Sequence, residues 1–251
     1  MTYNILNGGV GREEYILEVI QAANPDVVVF QEVYNEEFLM KLAHELHVGY
    51  FFFGNGNRKR RVAFISRYPV QAWQSNHVFP ISRNFIEAKI ECGHNETFRL
   101  IGVHPIANLA LVFEIWRWLE MGTVINHYRL YQDEPCMIVG DFNAIAPHDR
   151  IFIESMPAWL KWSLRLQGNR AYPFSLGRLL SAGFVDCYRA LNADDGFTLP
   201  PPRPNTRLDY CFVNDKMKAW LKNCWVMVEP SAAGKASDHY PVVAEFEFQT
   251  G

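Results

Sequence analysis

The sequence lacks several features that would place it in a special class of protein. No apolar run approaches the roughly 18 residues of a membrane-spanning helix, and there is no internal repeat or low-complexity tract. Positive charge is not in excess, because 24 Lys and Arg stand against 27 Asp and Glu, a net charge of −3. We therefore expect no membrane span and no broad basic surface for nucleic acid, so any contact with a polyanion must be local.

Cysteine is scarce, and no motif pairs it. There are five cysteines, an odd number, with no CxxC spacing, and most lie in apolar stretches. This pattern predicts buried free thiols in a reducing compartment, so we expect a cytoplasmic protein. The cysteines are Cys92, Cys136, Cys187, Cys211 and Cys224.

What the chain has in quantity is material for a hydrophobic core. Apolar residues make up 49% of its 251 residues, among them 18 Phe, 11 Tyr and 7 Trp. This length suits one large core, so we predict a single catalytic domain over 1–251. Nothing in the sequence indicates an obligate protein partner, and we expect a monomer.

Strand and helix signals predict a layered α+β fold. Apolar residues at helical spacing indicate helices over 13–23, 35–47 and about 107–131. Several neighbouring strands are joined by short turns, such as those at 54–57 and 93–95, which favours mixed or largely antiparallel sheets. We predict a four-layer α/β/β/α sandwich with two packed sheets. Strands are expected at 1–5, 27–33, 50–53, 62–66, 85–91, 98–104, 136–139, 183–188, 207–213, 224–228 and 242–248.

Two short polar segments adjoin predicted buried strands. Gly-Asp-Phe-Asn at 140–143 follows an apolar strand, where Asp141 can contact a metal or water and Asn143 a phosphate oxygen. An Asx turn is the alternative for this segment. Ser-Asp-His at 237–239 precedes another strand, and its alternative, a helix N-cap, is disfavoured by Pro241.

Four other polar residues end or interrupt predicted strands. Glu32 is either exposed at a strand end or paired with a cation such as Mg²⁺. Asn4 and His104 each end a strand, where a turn amide and a structural histidine are the alternatives. Asp209 lies inside an apolar strand and needs a partner, either a histidine or one of the nearby arginines, Arg207 and Arg203.

In chain order these segments resemble the endonuclease/exonuclease/phosphatase superfamily, which includes the DNase I-like nucleases. The resemblance extends over nearly the whole chain and depends on seven segments together, since each alone is weak. They are TYNI at 2–5, FQEV at 30–33, FISRYPV at 64–70, GVH at 102–104, GDFNA at 140–144, RLDYCFV at 207–213 and SDHYPV at 237–242.

The resemblance implies a metal site at one edge of the two sheets. Glu32 would be the principal Mg²⁺ ligand, Asn4 its partner, and Asp238 would complete or support the cluster. Mn²⁺ or Ca²⁺ would be possible substitutes for Mg²⁺.

The resemblance also implies roles for five catalytic residues. Asp141 would orient or deprotonate the attacking water, and Asn143 would hold a phosphate oxygen. His239, oriented by Asp209, would contact the phosphate or act as acid or base. His104 would be a second phosphate-binding or general-acid imidazole.

The chain departs from the family pattern around His104. Pro105 follows this histidine where Leu is frequent, and Asn84 stands where DNase I-like members have a supporting Glu. The pair Arg83-Asn84 is similar to the phosphodiesterase 2-like branch and is a candidate substrate contact. The basic run at 58–61 would either steer a phosphorylated substrate or form a solvated loop.

The predicted activity is a divalent-metal-dependent phosphoesterase that attacks with an activated water and forms no covalent enzyme intermediate. Its substrate would be a phosphodiester or phosphomonoester, in a small molecule or a nucleic acid. The alternatives are a Mg²⁺-dependent endo- or exonuclease acting on DNA or RNA, and a catalytically silent binding module of the same fold. A calcineurin-like phosphatase is excluded, because the GNH segment of that class is absent.

Overall fold

A computed structural model describes residues 1–55, 60–93, 96–156 and 158–248. Within these residues the chain forms two six-stranded sheets with helices on their outer faces. The strands are β1 Thr2–Asn4, β2 Val27–Val33, β3 Tyr50–Phe53, β4 Arg61–Ser66, β5 Val70–Asn76, β6 Phe85–Glu91, β7 Thr97–Val103, β8 Cys136–Asp141, β9 Val185–Asp186, β10 Asp209–Val213, β11 Leu221–Val226 and β12 Val242–Phe246.

The helices cover the outer face of each sheet. They are α1 Glu13–Ala23, α2 Glu36–Glu45, α3 Leu111–Tyr128, α4 Ala158–Leu166, α5 Phe174–Ser181, α6 Cys187–Leu191, α7 Asp215–Lys218 and α8 Ala233–Ala236. No helix among the described residues is long and apolar enough to span a lipid bilayer.

The two sheets have matching patterns of strand direction. The first has the order β11-β12-β1-β2-β4-β3, and the second has the order β5-β6-β7-β8-β10-β9. Each sheet has one parallel pair, β1 with β2 and β7 with β8, flanked by antiparallel pairs. The predicted α+β sandwich with mixed, largely antiparallel sheets is confirmed.

Three large apolar clusters hold the layers together. One lies between the sheets and includes Phe64, Ile86 and Val139. The other two join the outer face of each sheet to its helices, α1 and α2 on the first and α3 and α5 on the second. All five cysteines are free and buried, which confirms the prediction for the thiols.

Several predicted elements differ from the structure. Strand β5 was missed because it is a largely polar edge strand without an apolar pattern. The strand predicted over 183–188 is only β9, because the Asp186 side chain accepts a hydrogen bond from the Arg189 N–H and starts α6. The long helix begins at Leu111 rather than 107. Residues 56–59 and 94–95, within the predicted turns and the basic run, lie outside the described residues.

Candidate active site

Strand pairing brings the predicted catalytic residues to one edge of the sandwich. Asp141 ends β8, and Asp209 begins β10 directly opposite it in the antiparallel register. Val103 pairs with Gly140 across β7 and β8, so His104 follows β7 beside Asp141. A side chain at Gly140 would place its Cβ 2.0 Å from the Val103 carbonyl oxygen, so only glycine allows this approach.

Asp141 is the centre of a buried polar network. Its Oδ2 accepts a hydrogen bond from Asn4 Nδ2 at 3.0 Å and lies 3.4 Å from His104 Nε2 and 3.9 Å from His239 Nε2. Asn143 donates its backbone N–H to Oδ1 at 2.9 Å and its amide to Oδ2 at 3.3 Å. Burial alone would raise the pKa of Asp141, but the two histidines outweigh it and hold this pKa below its usual range. Asp141 is therefore ionised at neutral pH.

His239 is held by Asp209. Its Nδ1 lies 2.7 Å from Asp209 Oδ2, and Thr198 Oγ1 donates to the same oxygen at 2.6 Å. Burial lowers the pKa of His239, but the charges of Asp209 and Asp141 outweigh it and raise this pKa to about 10. A histidine is thus the partner of Asp209, while Arg207 pairs with other carboxylates.

The raised pKa of His239 predicts how the stability of the metal-free protein depends on pH. The folded pKa, about 10, exceeds the unfolded value of about 6.5, so the stabilisation is complete below pH 6.5 and is lost as pH rises towards 10. We expect the unfolding free energy of wild type relative to His239→Asn to fall by about 1.4 kcal/mol per pH unit in this range. Urea unfolding of both proteins in EDTA at about pH 7 and pH 9 measures it, and a constant difference would contradict the assignment.

His104 has the opposite electrostatic environment. Burial lowers its pKa to about 4, with the nearby Arg83 guanidinium adding to the effect and Asp141 opposing it. Its Nδ1 is buried and has no hydrogen-bond partner among the described residues. The site thus places a neutral imidazole and an imidazolium beside the same oxygen of Asp141.

Glu32 and Asp238 supply carboxylates at the open side of this network. Glu32 lies in a bulge of β2 with a left-handed φ of 64°, and its Oε2 accepts the Asn7 N–H at 2.8 Å. Burial raises the pKa of Asp238, His239 opposes this, and the charges of Glu32 and Asp141 raise it further. The Asp238 side chain is 43% exposed.

The chemistry of these groups suits a divalent cation. Carboxylates and an amide oxygen are the hard donors that Mg²⁺ prefers, and a cation would offset both the burial and the nearby negative charges that raise the pKa of Asp238. Asp141, Asp209 and His239 also have possible ligand atoms within 4.8 Å of one another. That trio is better described as an ion-pair network, because His239 is protonated and its Nδ1 is bonded to Asp209.

The two candidate substrate residues lie in different environments. Arg83 is 4% exposed, its Nη1 has no partner among the described residues, and burial lowers its pKa to about 10, so it stays charged. Asn84 accepts from the Val62 N–H and donates to Ser75 Oγ, which ties β4 to β5 across the two sheets. Both ends of the Asn84 amide are therefore engaged in the fold, which leaves Arg83 as the candidate substrate contact.

Sequence reasoning missed two residues that build this edge. Thr198 contacts Asp209 from an irregular loop, where an isolated threonine gives no pattern. Glu120, on α3, accepts hydrogen bonds from the N–H groups of Ser82 and Ile106 and so fixes the segments beside Arg83 and His104. The sequence feature that could have indicated Glu120 is its position as a carboxylate within a strongly apolar helix.

Comparison with known proteins identifies relatives by sequence pattern and by fold. A sequence model described as the Endonuclease/Exonuclease/phosphatase family matches residues 1–239. No curated protein matches the sequence.

Three solved structures illustrate the likeness in fold. A 3′ phosphatase, NExo from Neisseria bound to product DNA hairpin, is 20% identical over 98% of both chains, with a TM-score of 0.73. An AP endonuclease from Archaeoglobus fulgidus is 17% identical over 98% of both chains, with a TM-score of 0.77. A humanized D. rerio TDP2 is 15% identical over 98% of this chain and 97% of its own, with a TM-score of 0.70.

Proposed function

Because this chain belongs to the Endonuclease/Exonuclease/phosphatase family, we propose that it is a Mg²⁺-dependent phosphoesterase whose single catalytic domain spans 1–251. One observation carries the proposal most directly. The ionised Asp141 is surrounded by Asn4, His104, Asn143 and His239, and the electrostatics of Asp238 place Glu32 and Asp238 near it. This arrangement combines a base, hydrogen-bond donors and metal ligands within one edge of the fold.

In the proposed metal site, Glu32, Asp238 and Asn4 hold the cation. A bound Mg²⁺ would neutralise negative charge on the phosphoryl group, and Mn²⁺ or Ca²⁺ could substitute for it. The Asn4 amide also donates to Asp141, so the same residue links the metal site to the base.

In the proposed reaction, Asp141 orients the attacking water and accepts its proton. The imidazolium of His239, fixed by Asp209, donates a hydrogen bond to a phosphoryl oxygen, where charge develops in the transition state. Asn143 holds a second phosphoryl oxygen through its amide. His104, neutral and with Nε2 towards Asp141, provides a further contact for the phosphate or leaving group.

The substrate class has two candidates, an ester of a small molecule and a nucleic acid. The nucleic-acid alternative is favoured by the structural relatives, which are a phosphatase bound to DNA, an AP endonuclease and TDP2. The net charge of −3 favours small esters or strand ends over a long duplex, because duplex binding neutralises many phosphates. Arg83 supplies the local positive charge for either substrate.

A substrate panel tests this proposal. We expect the purified protein to hydrolyse at least one phosphomonoester, phosphodiester or oligonucleotide with Mg²⁺ or Mn²⁺, and EDTA to abolish the activity until metal is restored. Cleavage of oligonucleotides alone would establish the nuclease alternative. If the protein binds metal but hydrolyses no substrate of the panel, the result would contradict the proposal and support the alternative of a catalytically silent binding module.

A further inference from the structure

The first half of α3 has its charged and apolar faces reversed. Glu114, Arg117 and Glu120 recur at every third position, and each is only 1% exposed. The neighbouring residues that face solvent are apolar, although an ordinary surface helix buries such residues. These exposed residues are Val112, Ile115, Trp116, Trp118 and Leu119.

The buried charges of α3 each serve the fold. Arg117 pairs with Glu114 at 2.9 Å and donates to the carbonyl oxygen of Ile106 at 2.9 Å. Glu114 also accepts from the Ser175 N–H at 2.7 Å, which joins α3 to α5. These contacts fix which side of α3 faces inward, and they leave its apolar stripe exposed.

Helix α4 extends the exposed apolar surface. Trp159, Trp162 and Leu166 lie on one side of this helix and are 60%, 65% and 70% exposed, while Leu164 on the opposite side is fully buried. Gln167, just after α4, accepts the Leu111 N–H at 2.9 Å and so joins the end of α4 to the start of α3. The end of α4 therefore lies beside the start of α3, and each helix has an exposed apolar stripe.

The segment that contains α4 and α5 is basic. Residues 155–185 contain no Asp or Glu, although the whole chain has a net charge of −3. The only acids of α3 are the buried Glu114 and Glu120, so α3, α4 and α5 expose no carboxylate. Four basic residues lie in this segment: Lys161, Arg165, Arg170 and Arg178.

We propose that this surface, the docking face, binds an anionic lipid bilayer at its headgroup level. It consists of Ile115, Trp116, Leu119, Trp159, Trp162 and Leu166 with the four basic residues. Tryptophan and aliphatic side chains next to Lys and Arg are the composition of helices that lie in a membrane interface. The proposal goes beyond the phosphoesterase activity and does not depend on it.

The charges favour a bilayer over the other possible occupants. In a symmetric dimer formed through this face, the four basic residues of one copy would lie close to those of the other and repel them. Single-stranded nucleic acid would stack on the tryptophans, but Ile115, Leu119 and Leu166 offer no ring to a base. An anionic bilayer satisfies both the aliphatic residues and the cations.

Helix α4 lies between part of the docking face and the active-site edge. Leu164, on the buried side of α4, packs in a cluster with Ile145 and Leu208. Ile145 lies two residues after Asn143, and Leu208 immediately precedes Asp209. In a protein bound through this face, α4, about 10 Å in diameter, would separate these residues from the bilayer.

Vesicle sedimentation tests the proposal with the full chain. We expect binding to vesicles of phosphatidylcholine with phosphatidylglycerol, weakened by salt, and little binding to phosphatidylcholine alone. The double variants Trp159→Ser/Trp162→Ser and Ile115→Ser/Leu119→Ser should each bind at least about tenfold more weakly. Arg165→Glu should weaken binding to anionic vesicles specifically.

Matched controls and two further measurements make the test decisive. Met40→Ser/Val228→Ser removes exposed apolar side chains outside the docking face and should bind like wild type, with circular dichroism verifying the fold of every variant. The proposal is overturned if wild type does not bind, or if the docking-face variants bind as well as the control. Two other results would also overturn it, if wild type does not bind vesicles. One is a dimer, seen by light scattering, that the docking-face variants disrupt. The other is an oligonucleotide complex, seen by filter binding, that the same variants weaken.

Discussion

Asp141→Asn is expected to lower kcat for the best substrate by about 10³-fold, within the range lost when a general base is removed. The replacement is nearly isosteric, and its amide oxygen can still accept the Asn143 N–H, so the fold should be retained. What disappears is the negative charge beside His104 and His239 and the group that accepts the proton of water. Steady-state kinetics at saturating metal measure the loss.

The control for this variant is Asp133→Asn, which removes a carboxylate that is 93% exposed. Its kcat should equal that of wild type. If Asp141→Asn retained wild-type kcat on every ester of the panel, Asp141 would not be the base and the proposed mechanism would be wrong.

Glu32→Gln is expected to raise the metal concentration for half-maximal activity by at least about 100-fold. Removing a group that only supports a metal ligand typically weakens binding by about 10- to 100-fold, and a direct ligand should matter more. The glutamine oxygen can still accept the Asn7 N–H, so the bulge in β2 should persist. Mg²⁺ titration of activity and calorimetric titration with Mn²⁺ give two independent readouts.

Glu18→Gln, on the exposed side of α1, is the matched control and should leave metal affinity unchanged. An unaltered metal dependence in Glu32→Gln would place the cation elsewhere, and the trio of Asp141, Asp209 and His239 would then be the next candidate. Activity that is lost while metal affinity is kept would give Glu32 a role in the reaction other than binding metal.

The sequence predicted the parts of the site that follow from strand ends. Asp209 lies in an apolar strand, so its burial and its need for a partner were readable from the pattern, and Asp141 was expected at the end of the strand before it. The residue pattern alone left the partner of Asp209 open between a histidine and two arginines, and the family resemblance implied His239. The structure has this contact, which no local pattern could predict because the two residues are 30 positions apart.

Other features were hidden because they depend on tertiary contacts. Asn84 bridges the two sheets through an amide that only the folded chain places near Val62 and Ser75. Helix α3 was predicted from its apolar residues, but its inward face is set by charges that bind loops from elsewhere in the chain. A prediction from apolar spacing places the charged residues of a helix on its exposed face. In α3 the ion pair of Glu114 with Arg117 is buried instead, so the apolar residues face solvent.

The pairing of β1 with β12 also determines when the site can exist during synthesis. Ser237 Oγ donates to the Asn4 carbonyl oxygen at 2.6 Å, across 233 positions of sequence. A nascent chain that still lacks β12 contains most of both sheets but neither Asp238 nor His239 in place. Under the proposed mechanism, a nascent chain without β12 would therefore not hydrolyse phosphoesters.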